Sequence, residues 1–236
     1  MSPNRNKTIR NMACALPAII LACLFIATIM ELPTESRGLT PIVNAHMHLS
    51  GVEHGVTAVL LNFRAYDTWL EIGVLLLAIL GVLSLERHSD MADKQSMPLA
   101  EPILNWLIRL LIPMMVLTGG YLLWMGKYSS GGAFQAGVIL GAAGVLLWLA
   151  GYRSVAGLPP RILRILLSAG FGVFVILAMA TVISGDYMIR YKVDWAGHII
   201  LALEFAATIS IAVTVAALVI ALQPSVPGHK KRRKNS

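Results

Sequence analysis

Charged residues are scarce in this chain of 236 residues: Asp, Glu, Lys and Arg make up 13% of it, against about a quarter of an average soluble domain. Its two cysteines, Cys14 and Cys23, both fall in the first apolar run. This placement excludes a disulfide framework and predicts two buried hydrophobic side chains. Catalytic patterns are also missing, since there is no His-Glu-x-x-His, no nucleophile elbow and no Cys-x-x-Cys. The sequence therefore predicts neither an enzyme nor a bound cofactor.

Long apolar runs are what the chain has instead, and 57% of its residues are hydrophobic. Apolar stretches of about 17 to 25 residues cross a bilayer as helices. Six candidates lie at residues 9–30, 69–85, 103–125, 133–151, 162–184 and 195–222. The first run also resembles a secretory signal, but its length favours a retained anchor. The sequence thus predicts an all-α integral membrane protein with about six transmembrane helices.

The formal net charge of +7 raises the question of nucleic-acid binding. If the N-terminus is cytoplasmic, fourteen of the 19 Lys and Arg residues lie on the cytoplasmic side, as the positive-inside rule expects. The basic run at residues 230–234 is then a stop-transfer signal and an anchor to lipid headgroups. Topology accounts for the charge, so we expect both termini to be cytoplasmic and the partners to include the lipid bilayer and no nucleic acid.

Three ionisable side chains stand at the entrance to the second run. An acid in or at the edge of a transmembrane helix must pair, face water or take up a proton, so it is a functional candidate. On one continuous helix Arg64, Asp67 and Glu71 would share a face. The simplest assignment pairs Arg64 with Asp67 and leaves Glu71 to exchange a proton. The apolar stretch 56–63 is too short to cross, and we expect a short re-entrant or interfacial helix there.

The sixth run carries a single formal charge, Glu204. At that depth a lone acid is protonated, hydrogen-bonded to a neighbouring helix or facing a hydrated passage. Interhelical hydrogen bonding is the simpler alternative. His198 follows Asp194 by four residues, and on a helix this spacing lets the acid orient its ring.

Glycines cluster around the fourth run. Gly131 and Gly132 precede it, and Gly137, Gly141 and Gly144 repeat near the small-x-x-x-small spacing that lets another helix pack closely. Anion binding by the glycine-rich turn is the alternative. The spacing matches neither a Walker A loop nor a dinucleotide fingerprint, so helix packing is the stronger interpretation.

Histidines gather in the polar segment 31–55, where His46, His48 and His54 lie near Glu53. These side chain types can ligate a metal ion. Solvated or headgroup-facing histidines are the simpler interpretation because the spacing is loose, and we assign no metal site.

Two stretches resemble known families. Residues 55–71 resemble the motif V-x-x-V-x-x-D-F-R-G-[FY]-D-T-x-x-E, which the C-terminal part of MrpA shares with the MbhE subunit of membrane-bound hydrogenases; Asn62 and Ala65 depart from it. Residues 126–141 resemble the element G-x-x-x-P-G-G-G-F-Q-G-G-x-I of MrpB and the related MbhF, from which Ser130, Ala133 and Ala136 depart. The chain is therefore similar to an MbhE-type segment fused ahead of an MrpB-type domain.

The resemblance implies a division of the chain and a function. The expected parts are a two-span segment at 1–88, a cytoplasmic linker at 89–101, a four-helix domain at 102–223 and a basic cytoplasmic tail at 224–236. The expected function is that of an accessory subunit of an Mrp-type antiporter that exchanges Na⁺ for H⁺ across a bacterial or archaeal cytoplasmic membrane. Its implied partners are large antiporter-like subunits and small Mrp-type subunits.

Five residues are candidates for the ion path. Glu71, supported by Arg64 and Asp67, would relay protons or cations at an interface with a partner, and Glu204 with His198 would lie on a second route. Two alternatives stay open. The chain could serve the membrane arm of a redox-driven complex, such as a membrane-bound hydrogenase or a complex I-like machine, or it could be a purely structural scaffold.

Overall fold

The computed structural model describes residues 19–31, 38–85, 102–152, 155–185, 188–189 and 191–223, and all regular structure in these ranges is helical. The chain divides into two units, residues 1–39 and 40–236. The first contributes one described helix, α1 (Ile19–Met30). Cys23 on this helix is exposed, so its predicted burial is wrong, because the unit has no second described helix to cover it. Cys14 lies outside the described residues.

The second unit begins with short helical pieces and continues as five long helices. Helix α2 (Thr40–His46) and a 3₁₀ turn (Met47–Leu49) precede α3 (Gly55–Ala58), which runs into a π-helical stretch (Val59–Phe63). The long helices are α4 (Ala65–Leu85), α5 (Pro102–Met125), α6 (Ala133–Leu149), α7 (Pro160–Ile183) and α8 (Val193–Ala221). A 3₁₀ turn (Val155–Gly157) lies between α6 and α7.

Four described helices are long and apolar enough to cross a membrane, namely α4, α5 from Trp106, α7 and α8. The apolar helices α1 and α6 are shorter, and α6 has 17 residues. At about 1.5 Å per residue α6 covers roughly 26 Å, somewhat less than the ~30 Å hydrocarbon core of a bilayer. The all-helical, multi-pass prediction is confirmed, and the full number of six spans stays a prediction.

The second predicted span begins earlier than its apolar run, because α4 starts at Ala65. The helical conformation is interrupted just before α4, at Arg64, where φ is −130° and ψ is 38°. Arg64 therefore lies just before the helix that carries Asp67 and Glu71. A hydrogen bond spans this interruption, since the Thr68 hydroxyl of α4 donates to the carbonyl of Leu60 in the π-helical stretch over 2.7 Å. The short helix expected before this span is present as α3 and the π-helical stretch.

Helix α8 is the centre of the second unit. Within the unit 56% of its membrane-crossing stretch is buried, against 11–22% for the other three spans. It packs against α4, α6 and α7, while α5 packs on α6. Small residues allow the close approach of α7, because a Cβ on Gly170 would lie only 3.1 Å from the Cα of Ala207. Most residues in the middle of α8, Glu204 among them, are therefore buried by its neighbours.

Candidate functional site

The acid Glu204 lies in the middle of α8 and is only 3% exposed. Its backbone carbonyl accepts a hydrogen bond from the Thr208 hydroxyl over 2.7 Å. Among the described residues its carboxylate oxygen Oε2 has no hydrogen-bond partner. An unpartnered buried acceptor costs about 1–3 kcal/mol, and more when it is charged. A small cation bound at Oε2 would supply the missing partner, and a proton bound there would remove the charge.

Two glycines leave the space that the Glu204 carboxylate occupies. A Cβ on Gly126 or on Gly132 would lie 2.8 Å from Oε1. Gly132 also has a φ of +114°, a backbone conformation that residues with a side chain rarely adopt. Gly131 is constrained by another neighbour, because its Cβ would overlap the carbonyl oxygen of Leu122. The glycine-rich turn thus forms a wall of backbone around the acid.

The carboxylate is placed at the start of α6. The backbone amide of Ala133, the first residue of α6, lies beside the Glu204 carboxylate. The first amides of a helix have no partner within the helix, and its N-terminus favours negative charge. The amides of Gly126 and Gly132 both donate to the carbonyl of Leu122, over 3.2 and 2.9 Å. These hydrogen bonds close the turn between α5 and α6, and this turn places the N-terminus of α6 beside Glu204.

The segment before α4 covers this turn from the other side. The backbone amides of Glu53 and His54 both donate to the carbonyl of Lys127, each over 3.1 Å. The buried hydroxyl of Thr57 donates to the carbonyl of Gly126. The sequence did not mark Thr57 or Gly126 as site residues, although Gly126 is the first residue of the glycine motif, which signals a position that needs no side chain.

The glycines predicted to pack lie on the contact between α6 and α8. A Cβ on Gly137 would be 2.8 Å from the Cβ of Ile211, and one on Gly141 would be 3.0 Å from the Cβ of Val215. The nearest contact of a Cβ on Gly144 would be an ordinary 3.4 Å. The closest approach of the two helices therefore falls at the first two glycines.

Replacing Gly137 by alanine is expected to lower the free energy of unfolding by about 1–3 kcal/mol, because the new methyl group overpacks the contact with Ile211. Gly172→Ala is the matched control, since no described heavy atom lies within 4 Å of its Cβ position. That change is expected to be neutral or to stabilise α7 by up to about 1 kcal/mol. Thermal unfolding of the purified protein in detergent measures both variants, and equal stabilities would contradict the prediction.

The other predicted acids lie at the surface of the chain. Arg64 and Asp67 form an ion pair over 2.6 Å, with side chains 59% and 46% exposed. Asp67 is in the first turn of α4, where an acid is favoured by the helix dipole. Glu71 lies one turn further along on an exposed, largely apolar face. The structure does not bring Glu71 and Glu204 together, because one is on the outer face of α4 and the other is in the core.

His198 is exposed and lines a groove of about 410 Å³ between α5 and α8, together with Trp124 and Phe205. Its ring centroid lies 6.3 Å from that of Trp195. Among the described residues no ion pair joins His198 to Asp194, and the orientation of His198 by Asp194 stays a prediction.

The histidines of the segment before α4 make local contacts. The Nδ1 atom of His46 lies 2.8 Å from the carbonyl of Ile42, and that of His54 lies 3.3 Å from the hydroxyl oxygen of Thr57. Within the described ranges, no three His, Cys, Asp or Glu side chains are arranged to hold a metal ion.

Together the helices and the enclosed acid define a multi-pass helical membrane protein, with a carboxylate held at the N-terminus of a neighbouring helix. A model of the family described as "Domain related to MnhB subunit of Na+/H+ antiporter" matches residues 103–222. The chain belongs to this family. The resemblance to the MrpB component of Mrp antiporters is thereby confirmed. No curated protein matches the chain.

Two solved structures of membrane complexes contain chains with a similar fold. One is the Mrp complex from Dietzia sp. DQ12-45-1b, with a TM-score of 0.65 and 21% identity over 97% of this chain, which spans 27% of the matched chain. The other is the membrane-bound sulfane sulfur reductase (MBS), an archaeal respiratory membrane complex. It gives a TM-score of 0.64 and 20% identity over 90% of this chain and 97% of the matched one. At these identities the likeness is one of fold.

Proposed function

We propose that this chain is an accessory membrane subunit of an Mrp-type antiporter, which exchanges a monovalent cation such as Na⁺ for protons, and that Glu204 lies on its ion path. Membership of a family described by its relation to a Na⁺/H⁺ antiporter subunit supports the first part. The observation that carries the second part is the buried, unpartnered Oε2 of Glu204. Ionisable groups inside a membrane protein are costly and mark ion pathways.

The surroundings of Glu204 suit an acid that binds and releases an ion. The amide of Ala133 lies beside the carboxylate, and Oε2 is left without a partner among the described residues. The Thr208 hydroxyl donates to the Glu204 backbone carbonyl instead. When Oε2 is unoccupied, the N-terminus of α6 stabilises the negative charge. When a proton or a cation binds there, the acid is neutralised within its apolar surroundings.

Glu71 is proposed to act at an interface with another subunit. It is exposed on α4, a helix long and apolar enough to cross a membrane, and an acid facing lipid at that place is costly. A partner subunit that supplies polar groups or water would remove the cost. We propose large antiporter-like and small Mrp-type subunits as the partners, Na⁺ and H⁺ as the ions, and a bacterial or archaeal cytoplasmic membrane with both termini on the cytoplasmic side.

Glu71→Gln is expected to lower the rate of antiport by about tenfold, or about 1.4 kcal/mol, because glutamine cannot take up a proton. Residual activity is expected because Asp67 lies one turn away and can partly take over. The rate is measured in everted vesicles as the change in a fluorescent pH signal on adding the cation. Asp67→Asn is the control, with a smaller effect, since an exposed ion pair is worth only about 0–1 kcal/mol. Wild-type antiport of Glu71→Gln in an intact complex would exclude Glu71 from the mechanism.

The proposed function as a whole is tested by deleting the chain from its host and restoring it. Vesicles with the restored chain should release protons on addition of Na⁺, and vesicles without it should not. The assembly purified in mild detergent should contain antiporter-like membrane subunits, identified by mass spectrometry. A monomeric chain without membrane partners would contradict the proposal.

A second candidate is a subunit in the membrane arm of a redox-driven ion-pumping complex. The fold shared with a subunit of MBS, a respiratory membrane complex, favours it. Copurifying iron–sulfur proteins, and ion transport that requires an electron donor, would decide for this candidate. Undiminished transport after neutralising Asp67, Glu71 and Glu204 together would instead establish a purely structural scaffold.

A further inference from the structure

The buried threonine Thr57 connects two distant parts of the chain. It lies in α3, before the region 103–222 that the family covers, and it is 6% exposed. Its hydroxyl donates to the carbonyl of Gly126 in the turn between α5 and α6. A Cβ on Gly126 would lie 2.8 Å from Oε1 of Glu204. A single glycine therefore separates this threonine from the carboxylate.

Further contacts join the same segment to the turn and to α8. The amides of Glu53 and His54 both donate to the carbonyl of Lys127, over 3.1 Å. A Cβ on Gly197 of α8 would lie 2.8 Å from the carbonyl oxygen of Gly51 and 3.4 Å from Nζ of Lys127. The segment 51–57 is therefore hydrogen-bonded to the turn and packed on the helix that carries Glu204.

We propose that residues 51–57 clamp the turn 126–132 onto Glu204, with Thr57 as a positioning residue that holds Gly126 in place. The proposal rests on the ion-path role of Glu204. The glycines that line the acid, Gly126 and Gly132, have no side chains by which neighbours could hold them, so their backbone groups must do so. The carbonyl of Leu122, in α5, accepts hydrogen bonds from the amides of Gly126 and Gly132. The segment 51–57 donates hydrogen bonds to the carbonyls of Gly126 and Lys127.

The clamp determines where α6 begins relative to the acid. Gly126 and Gly132 are in close contact, since a Cβ on Gly126 would lie 2.8 Å from the Cα of Gly132. A shift of Gly126 therefore shifts Gly132 and, with it, the Ala133 amide that lies beside the carboxylate. Loosening the clamp changes the position of the Glu204 carboxylate oxygen that binds the ion, but it does not remove the acid. The affinity for the cation should consequently change more than the maximal rate.

Thr57→Val tests the clamp, because it keeps the shape of the side chain and removes the hydroxyl. In the assembled complex we expect faster hydrogen exchange at the amides of 126–133, and an apparent KM for the cation raised by about threefold to tenfold. Thr57→Ser should restore both. Thr181→Val is the control, since the half-buried Thr181 also has a hydroxyl that donates to a carbonyl, that of Ala178 within α7. It should change neither measurement.

Unchanged exchange at 126–133 in Thr57→Val would overturn the clamp, and faster exchange with an unchanged KM would overturn its positioning role. If Thr57→Val does not assemble, Thr57→Cys replaces it, as a weaker donor with the same two changes at smaller amplitude. Exchange is also measured in Thr57→Val combined with Glu204→Gln. Hydrogen exchange does not depend on transport. Unchanged exchange therefore contradicts the clamp, whereas faster exchange with normal antiport by Glu204→Gln contradicts only the ion-path role of Glu204.

Discussion

Glu204→Gln is expected to abolish cation/proton antiport while the complex still assembles. Glutamine has the shape of glutamate and an oxygen that can face the Ala133 amide, but it cannot gain or lose a proton. Loss of the charge beside the N-terminus of α6 costs about 0.3–1 kcal/mol. This is small beside the roughly 5–15 kcal/mol by which proteins are stable. The effect should therefore appear in transport and not in folding.

Antiport by Glu204→Gln is measured in everted vesicles at matched amounts of assembled complex. Glu53→Gln is the control, because Glu53 has an exposed side chain that lies outside the carboxylate pocket, and we expect it to transport normally. Wild-type antiport by an assembled Glu204→Gln complex would remove this acid from the ion path. Its role would then be the simpler one of hydrogen bonding between α8 and α6.

The long helices could be predicted from the sequence because apolar runs of this length have few other folds available in a membrane. The start of α4 could not, because hydropathy does not mark the interruption at Arg64, which the hydrogen bond from Thr68 to Leu60 spans. Hydropathy also ends a span at the first charge, whereas Asp67 fits the first turn of a helix and pairs with Arg64. The helix therefore extends beyond the apolar run.

The meeting of Glu204 with Gly132 could not be predicted either. Each stood out for its own chemistry, the acid for its place in an apolar run and the glycine for its place before a helix. They are far apart in the sequence, and their contact depends on how α6 packs on α8. Local patterns describe single helices, so they show neither which helix covers the acid nor what occupies the space beside a glycine.

Glu71 shows a different limit of prediction from the sequence. The sequence correctly marked an acid at the edge of a span, but it gave no sign of whether this chain or a partner would enclose it. In the structure the outer face of α4 is open at Glu71, while Ile72 beside it is buried. The two acids therefore differ in kind, since this chain supplies the whole pocket of Glu204 and only one wall of any site at Glu71.

Gly132→Ala is expected to reduce antiport almost as strongly as Glu204→Gln, with only a modest loss of stability. The new Cβ would lie 2.8 Å from Oε1 of Glu204. That oxygen is the far end of a flexible side chain, so the overlap can be relieved by moving the carboxylate away. The displaced acid then loses the amide of Ala133, and the pocket no longer holds it where an ion can bind.

Gly185→Ala separates this displacement from backbone strain. Gly185 has a positive φ of 79°, as Gly132 has one of 114°, but no described heavy atom lies within 4 Å of its Cβ position. A side chain in a strained positive-φ conformation costs roughly 1–3 kcal/mol. Gly132, with a ψ of −171°, lies in a region almost restricted to glycine, so we expect thermal unfolding to show a loss in both variants and the larger one in Gly132→Ala. Only Gly132→Ala should lose antiport, because only there does the added carbon displace an acid. Equal transport by the two variants would show that Glu204 does not need the space that Gly132 leaves.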